Sequence, residues 1–205
     1  MISGRFTFFL AAVGACLIAL WIAWGLVSRM TDFGPHAEEQ TGAWGLSADD
    51  YSREAFGGWD DADSDCLNTR AEILVEHSLI APSFDEAGCR VVGGSWVDVY
   101  SGEVLADPAR IDIDHVVPLH FAWDAGASSW SKAERVAFMN DAQNLVLTLD
   151  SINRSKGDSL PGEWLPPNPD SHCAFVAVFL SVLRSYDLTL PHESKILELE
   201  NQECG

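Results

Sequence analysis

A chain of 205 residues with 31 acidic side chains against 12 Lys and Arg carries a formal charge of −19. It has room for one globular domain of ordinary size plus a terminal segment. It is too acidic to hold nucleic acid over its whole surface by basic attraction, which excludes that class but leaves room for a local basic site; otherwise the acidity suits solubility in a salty or extracellular medium.

Residues 6–27 (FTFFLAAVGACLIALWIAWGLV) are uncharged and apolar. The run can cross a bilayer, which takes about 20 residues. Arg5 precedes it, and Trp21 and Trp24 lie toward its far end, where interfacial aromatics sit. Residues 1–30 therefore read as a signal-anchor transmembrane segment with the N-terminus inside. A cleaved signal peptide is the alternative. A lipoprotein modified at Cys16 fits less well, because the sequence stays apolar after that residue. In each case the remainder is extracytoplasmic, either anchored in the membrane or secreted after cleavage.

Residues 31–62 show little periodicity and read as a linker, so the folded domain is expected over residues 63–205. Residues 64–79 carry apolar side chains at helical spacing, with Ser64 or Asp65 as N-cap. Residues 89–105 are β-branched and aromatic with Gly-rich turns, as in a hairpin or short meander. Residues 110–117 form a strand with Ile111 and Ile113 on one face and Asp112 and Asp114 on the other, ended by Pro118. A short helix over 119–125 stops at Gly126. Ser131 and Glu134 make a capping box for a helix running to about Asn140. A second strand spans 145–149. Asp150 or Ser151 then caps a short helix that carries Asn153 and Lys156 and ends at Gly157. The stretch Trp164-Leu-Pro-Pro167 is a rigid turn, and helices over 171–186 and 192–203 close the domain. The class is α+β, and a monomer is expected.

Apart from Cys16 there are four cysteines, Cys66, Cys89, Cys173 and Cys204. An even count in an exported domain suggests two disulfides. Three pairings are open. Cys66–Cys89 and Cys173–Cys204 is favoured, because each pair would staple a segment flanking the central strands. A zinc site is disfavoured, since no CxxC or CxxH pair has ligand spacing.

The chemistry concentrates in Arg110-Ile-Asp112-Ile-Asp114-His115-Val-Val-Pro118 and, some thirty residues on, Asn144 followed by Asn153-Arg154-Ser-Lys156. A carboxylate suits a hard cation, and an imidazole takes a proton from water. Singly, an Asp beside a His is an ordinary surface or core pair, and His36, His77, His120, His172 and His192 are read that way. Trp123, Trp130 and Trp164 read as core anchors.

The ordered set Asp114-His115-Val-Val-Pro118, Asn144-Leu-Val-Leu and Asn153-Arg-Ser-Lys156 resembles the HNH endonucleases, whose core is the ββα-metal (His-Me) finger. The wider pattern adds Trp123, Gly126, Trp130, Asn140-Asp141, Gly157-Asp158, Trp164-Leu-Pro-Pro167, Cys173 and Cys204. It is similar to a branch holding exported bacterial HNH nucleases and the C-terminal domain of the GmrSD restriction enzyme. The resemblance covers residues 64–204. It implies a ββα-metal core with flanking helices and an N-terminal hairpin, and a phosphodiester hydrolase acting on DNA. His115 matches the general base and Asp114 a metal ligand. Asn144 matches the middle Asn that supports the finger. Asn153 stands where the signature's last His would be; this departure makes the donor set all-oxygen, which favours Mg²⁺ (or Mn²⁺) over zinc. Lys156 and Arg154 are expected to meet phosphate or transition-state charge, with Arg110 as a further local cation. A non-catalytic envelope-binding module and a nuclease acting on RNA are the rival readings.

Overall fold

The structure, a computed structural model, describes residues 51–191 and 193–205. The apolar run 6–27, and with it the membrane anchor read from sequence, lies outside the described residues. Among the described residues no helix is long and apolar enough to cross a membrane.

The elements are short. In chain order they are α1 (Thr69–Glu76), β1 (Ser83–Phe84), β2 (Val91–Gly93), β3 (Trp96–Val97), β4 (Val104–Leu105), β5 (Ile111–His115), α2 (Leu119–Asp124), α3 (Lys132–Met139), β6 (Leu145–Leu149), α4 (Asp150–Lys156), α5 (His172–Ser185) and α6 (Glu193–Cys204). The strands pair as three antiparallel ribbons, β1–β2, β3–β4 and β5–β6. Helices plus antiparallel ribbons make this an α+β domain. The hairpin expected over 89–105 is split: β3 and β4 form it, whereas β2 turns back to pair with β1.

Local chemistry explains most boundaries. Helix α1 starts at Asn68, whose side chain accepts from Ala71 N at 3.1 Å, later than the Ser64 or Asp65 start expected from sequence. Ser64 and Cys66 have φ of 64° and 74°, and a left-handed backbone cannot continue a right-handed helix. Both halves of the Ser131/Glu134 capping box are present on α3. Leu149 leads straight from β6 into α4 without a side-chain cap, and Gly157 ends α4 at φ 54°.

The β5–β6 register, from Ile111↔Leu149 to His115↔Leu145, decides what each face holds. Ile111, Ile113, Leu145, Leu147 and Leu149 share a smaller core with α1 and Trp96. The Trp96 indole closes it by donating to Leu74 O at 2.7 Å. A larger core gathers Val116, Val117, Phe121, Phe138, Phe175 and Phe179 between the loop after β5 and the helices α2, α3 and α5. Trp123, Trp130 and Trp164 pack against it, half-buried. Disulfides join Cys66 to Cys89 and Cys173 to Cys204.

Residues 51–60, placed in the linker by their lack of periodicity, pack on the domain instead. Phe56 is fully buried in the larger core. Ala55 O accepts from Arg135 Nε at 3.1 Å, and Asp60 N donates to Asn140 Oδ1 at 2.9 Å.

Candidate active site

Successive side chains of a strand point to opposite faces. On β5 this turns Asp112 and Asp114 beneath α4, and His115 the other way. Asn153 and Lys156 lie one turn apart on α4 and so share a face. Asn153 Nδ2 donates to Asp112 Oδ2 at 3.1 Å. Lys156 Nζ donates to Asp114 Oδ1 at 3.1 Å and to the His115 carbonyl at 2.9 Å. Asp114 Oδ2 also accepts from the Tyr100 hydroxyl at 2.6 Å.

Tyr100 is delivered by the turn between β3 and β4. The buried Asp98 carboxylate accepts from Tyr100 N, Ser101 N, Thr148 Oγ1 and Leu149 N, which fastens that turn to β6. Burial pushes the Asp114 carboxyl above its ordinary range, while the Lys156 ammonium and the two hydrogen bonds pull it back. Burial also holds the Tyr100 phenol well above its usual value, reinforced by the adjacent Asp114 charge, so it stays a donor.

His115 is buried and fixed on two sides. Its Nε2 lies 2.9 Å from Met139 O. A carbonyl only accepts, so Nε2 carries the hydrogen and Nδ1 keeps its lone pair. The Trp59 ring lies parallel to the imidazole, with centroids 5.5 Å apart and planes 4° apart. Burial lowers the His115 pKa to about 4, opposed by the Met139 hydrogen bond and assisted by the charges of Arg53 and Lys156. The ring is therefore neutral and basic at Nδ1 over the ordinary pH range.

Asn144 clamps the chain that leaves β5. Its Oδ1 accepts from Val117 N at 2.7 Å and its Nδ2 donates to Val117 O at 3.1 Å. Its own carbonyl accepts from Val116 N at 2.9 Å. The side chain is fully buried, so these bonds satisfy groups that have no access to water.

A cleft of about 220 Å³ is lined by Asp114, His115, Asn153, Arg154 and Lys156 together with Tyr51 and Arg53. Two expected roles do not fit the geometry. Lys156 is wholly buried and its ammonium is already engaged by Asp114, so it is not placed to meet a phosphate. Arg110 lies at the other end of β5, five strand residues or roughly 16 Å away, beside a separate cleft with Glu103 and Asp107. Arg154 reaches the site but pairs with Asp150 at 3.0 Å. Sequence reasoning missed Tyr100, Arg53 and Trp59. The signal for the last two was the aromatic density of Tyr51, Phe56 and Trp59, unusual in a linker. His120, read from sequence as an ordinary surface or packing histidine, stacks on Tyr51 at 4.5 Å and approaches Asp158 Oδ2 at 3.3 Å.

The donor set in the cleft suits a hard divalent cation. Asp114 Oδ1 accepts only one hydrogen bond, and Asn153 Oδ1 accepts none among the described residues. A second acidic group lies outside the cleft: Asp61, Asp63 and Asp65 bring carboxylate oxygens within 4.8 Å of one another. Burial and those three charges raise the carboxyl pKa of Glu72. The spacing Asp61, Asp63, Asp65 and Glu72 matches positions 1, 3, 5 and 12 of a helix–loop–helix calcium loop, with Cys66 at φ 74° where such loops hold Gly.

The family described as "GmrSD restriction endonucleases, C-terminal domain" matches residues 82–190. A protein of Arthroderma benhamiae described as an "uncharacterized secreted protein" is 35% identical over 149 residues, covering 72% of this chain and 72% of its own length. No solved structure matches the chain.

Proposed function

The chain belongs to the family of GmrSD restriction endonuclease C-terminal domains, and from that premise we propose that it is an exported, metal-dependent endonuclease that hydrolyses DNA phosphodiester bonds. The observation that carries the reading is His115. Its Nε2–H is committed to Met139 O, which leaves Nδ1 with its lone pair, and the residue lines a cleft together with Asp114 and Asn153.

In this reading His115 Nδ1 accepts a proton from the water that attacks phosphorus in line. Met139 O and Trp59 hold the imidazole plane and tautomer during that transfer. Asn144 fixes the chain just after the base. Asp114 and Asn153 would hold a divalent cation, Mg²⁺ or Mn²⁺ by the oxygen character of the donors, which when bound supplies positive charge to the scissile phosphate and the leaving oxygen. Lys156 and Tyr100 orient the Asp114 carboxylate rather than touching substrate. The products carry 5′-phosphate and 3′-hydroxyl ends.

The two disulfides suit an oxidising location. The secreted relative and the apolar run 6–27 support export, with the run either kept as an anchor or removed.

The test is plasmid nicking by the purified chain, with an RNA of matching sequence run in parallel. Cleavage of DNA is expected with Mg²⁺ or Mn²⁺ and none with EDTA, and His115→Ala is expected to abolish it. Preferential cutting of the RNA would change the substrate. Inertness toward both across Mg²⁺, Mn²⁺, Ca²⁺ and Zn²⁺ would replace this reading with a non-catalytic binding module.

A further inference from the structure

The cleft has three cations in its walls, and two of them are occupied. Lys156 is buried against Asp114, and Arg154 is paired with Asp150. Arg53 is exposed and makes no ion pair or side-chain hydrogen bond among the described residues, yet it lines the cleft beside His115 and Asn153.

We propose that Arg53 is the residue that grips the phosphodiester backbone, binding a non-bridging phosphate oxygen of the nucleic-acid strand in the cleft. The assignment rests on the nuclease reading and adds to it a substrate-binding residue from upstream of the segment that matches the family, residues 82–190.

The local fold explains how an exposed side chain holds a defined place. Arg53 opens a single 3₁₀ turn, Arg53–Phe56, whose last residue is driven into the larger core. The next carbonyl but one, that of Ala55, is held by the Arg135 guanidinium. On the N-terminal side Tyr51 is stacked on His120. The backbone is thus anchored before and after Arg53, and only its side chain is free to move into the cleft.

The charge also reaches the base. Arg53 is one of the two cations that disfavour protonation of His115. A guanidinium is always charged and offers paired N–H donors that match phosphate oxygens. On a chain with a formal charge of −19, an exposed arginine in the cleft wall, without an ion pair among the described residues, supplies local attraction for a phosphate.

The experiment compares the purified full chain with Arg53→Gln and Arg53→Lys, using a fluorescein-labelled DNA duplex over a salt series with Mg²⁺. Arg53→Gln is expected to raise KM about tenfold or more with a smaller change in kcat. It is also expected to lower the slope of log KM against log salt by about 0.9, the value of one lost phosphate contact. Arg53→Lys should restore part of the affinity and the full slope. The melting temperature should change little, because the side chain makes no ion pair or hydrogen bond among the described residues. Arg90→Gln, a surface arginine far along the chain from the cleft, should leave slope and KM as they are. If the wild-type chain cuts DNA and Arg53→Gln keeps its KM and slope, the Arg53 assignment is wrong while the nuclease reading stands. If the wild-type chain does not cut at all, both fall together.

Discussion

Trp59 lies flat against His115, 4° from coplanar, and the two residues come from segments that a sequence reading places in different parts of the protein. The indole excludes water from one face of the ring, and the Met139 carbonyl fixes one edge. Both matter for a base, because an imidazole that is neutral and correctly turned needs no reorganisation before it takes a proton.

With its pKa lowered to about 4 by burial, His115 should set an acid limb of kcat/KM near that value. Trp59→Ala hydrates the ring, so its pKa should rise toward the ordinary 6.5 and carry the acid limb upward. A pH–rate profile, with NMR titration of the His115 ring, checks this. An unmoved limb would remove Trp59 from the explanation.

The same shift has a consequence for stability. Above pH 6.5 neither the folded nor the unfolded chain protonates His115. As pH falls from 6.5 to about 4 the unfolded chain takes up the proton and the folded one does not, so stability is lost through that window. The loss is about 3 kcal/mol on the usual conversion of 1.36 kcal/mol per pKa unit. Denaturant unfolding of wild type and His115→Gln at pH 7 and pH 4 isolates it, because the variant should lose less by that amount.

Asn144→Ala leaves both polar groups of Val117 buried without partners. The expected cost is about 2–6 kcal/mol at the usual 1–3 per orphaned group. Asn144→Asp keeps the acceptor for Val117 N but turns a donor into a repulsive oxygen at Val117 O, so it should rescue little. Urea denaturation of the three proteins gives the ordering.

Lys156 separates a structural from a substrate-binding role. Lys156→Met strands the Asp114 carboxylate and should cost about 3–5 kcal/mol. Adding Asp114→Asn removes the stranded charge and should recover most of that loss, giving a large coupling in a double-mutant cycle. A residue that served only phosphate would show no such coupling.

Reduction of the two disulfides should lower the melting temperature. The bridges close loops with sequence separations of 23 and 31 residues, each worth about 3 kcal/mol in loop entropy. Cys66→Ser/Cys89→Ser and Cys173→Ser/Cys204→Ser, measured by calorimetry, apportion the effect.

What was legible in the sequence was what neighbours decide. The Ser131–Glu134 box, the alternation of Ile111 to Asp114, and the spacing of Asn153 and Lys156 depend on residues within a turn or two, so they were visible along the chain. Asp98 and Tyr100 were not, because their roles depend on a hairpin turn docking against β6. Arg53 and Trp59 were hidden for a related reason: they sit in irregular backbone, where no period marks which side chain faces the protein. Arg110 misled because adjacency in sequence to Asp114 means little at opposite ends of a strand. Lys156 lines the cleft, as its spacing from Asn153 suggests, but its surroundings turn the charge inward.

Among the described residues each sheet is only two strands wide. A lone pair of strands is marginal in water, so the ribbon that carries Asp114 and His115 borrows its order from the helices, the buried Asn144 clamp and the covalent staples around it. The segment that identifies the family by eye is therefore not portable. A peptide of residues 111–157 is expected to show coil-like circular dichroism and to cut nothing, although it spells out the whole signature.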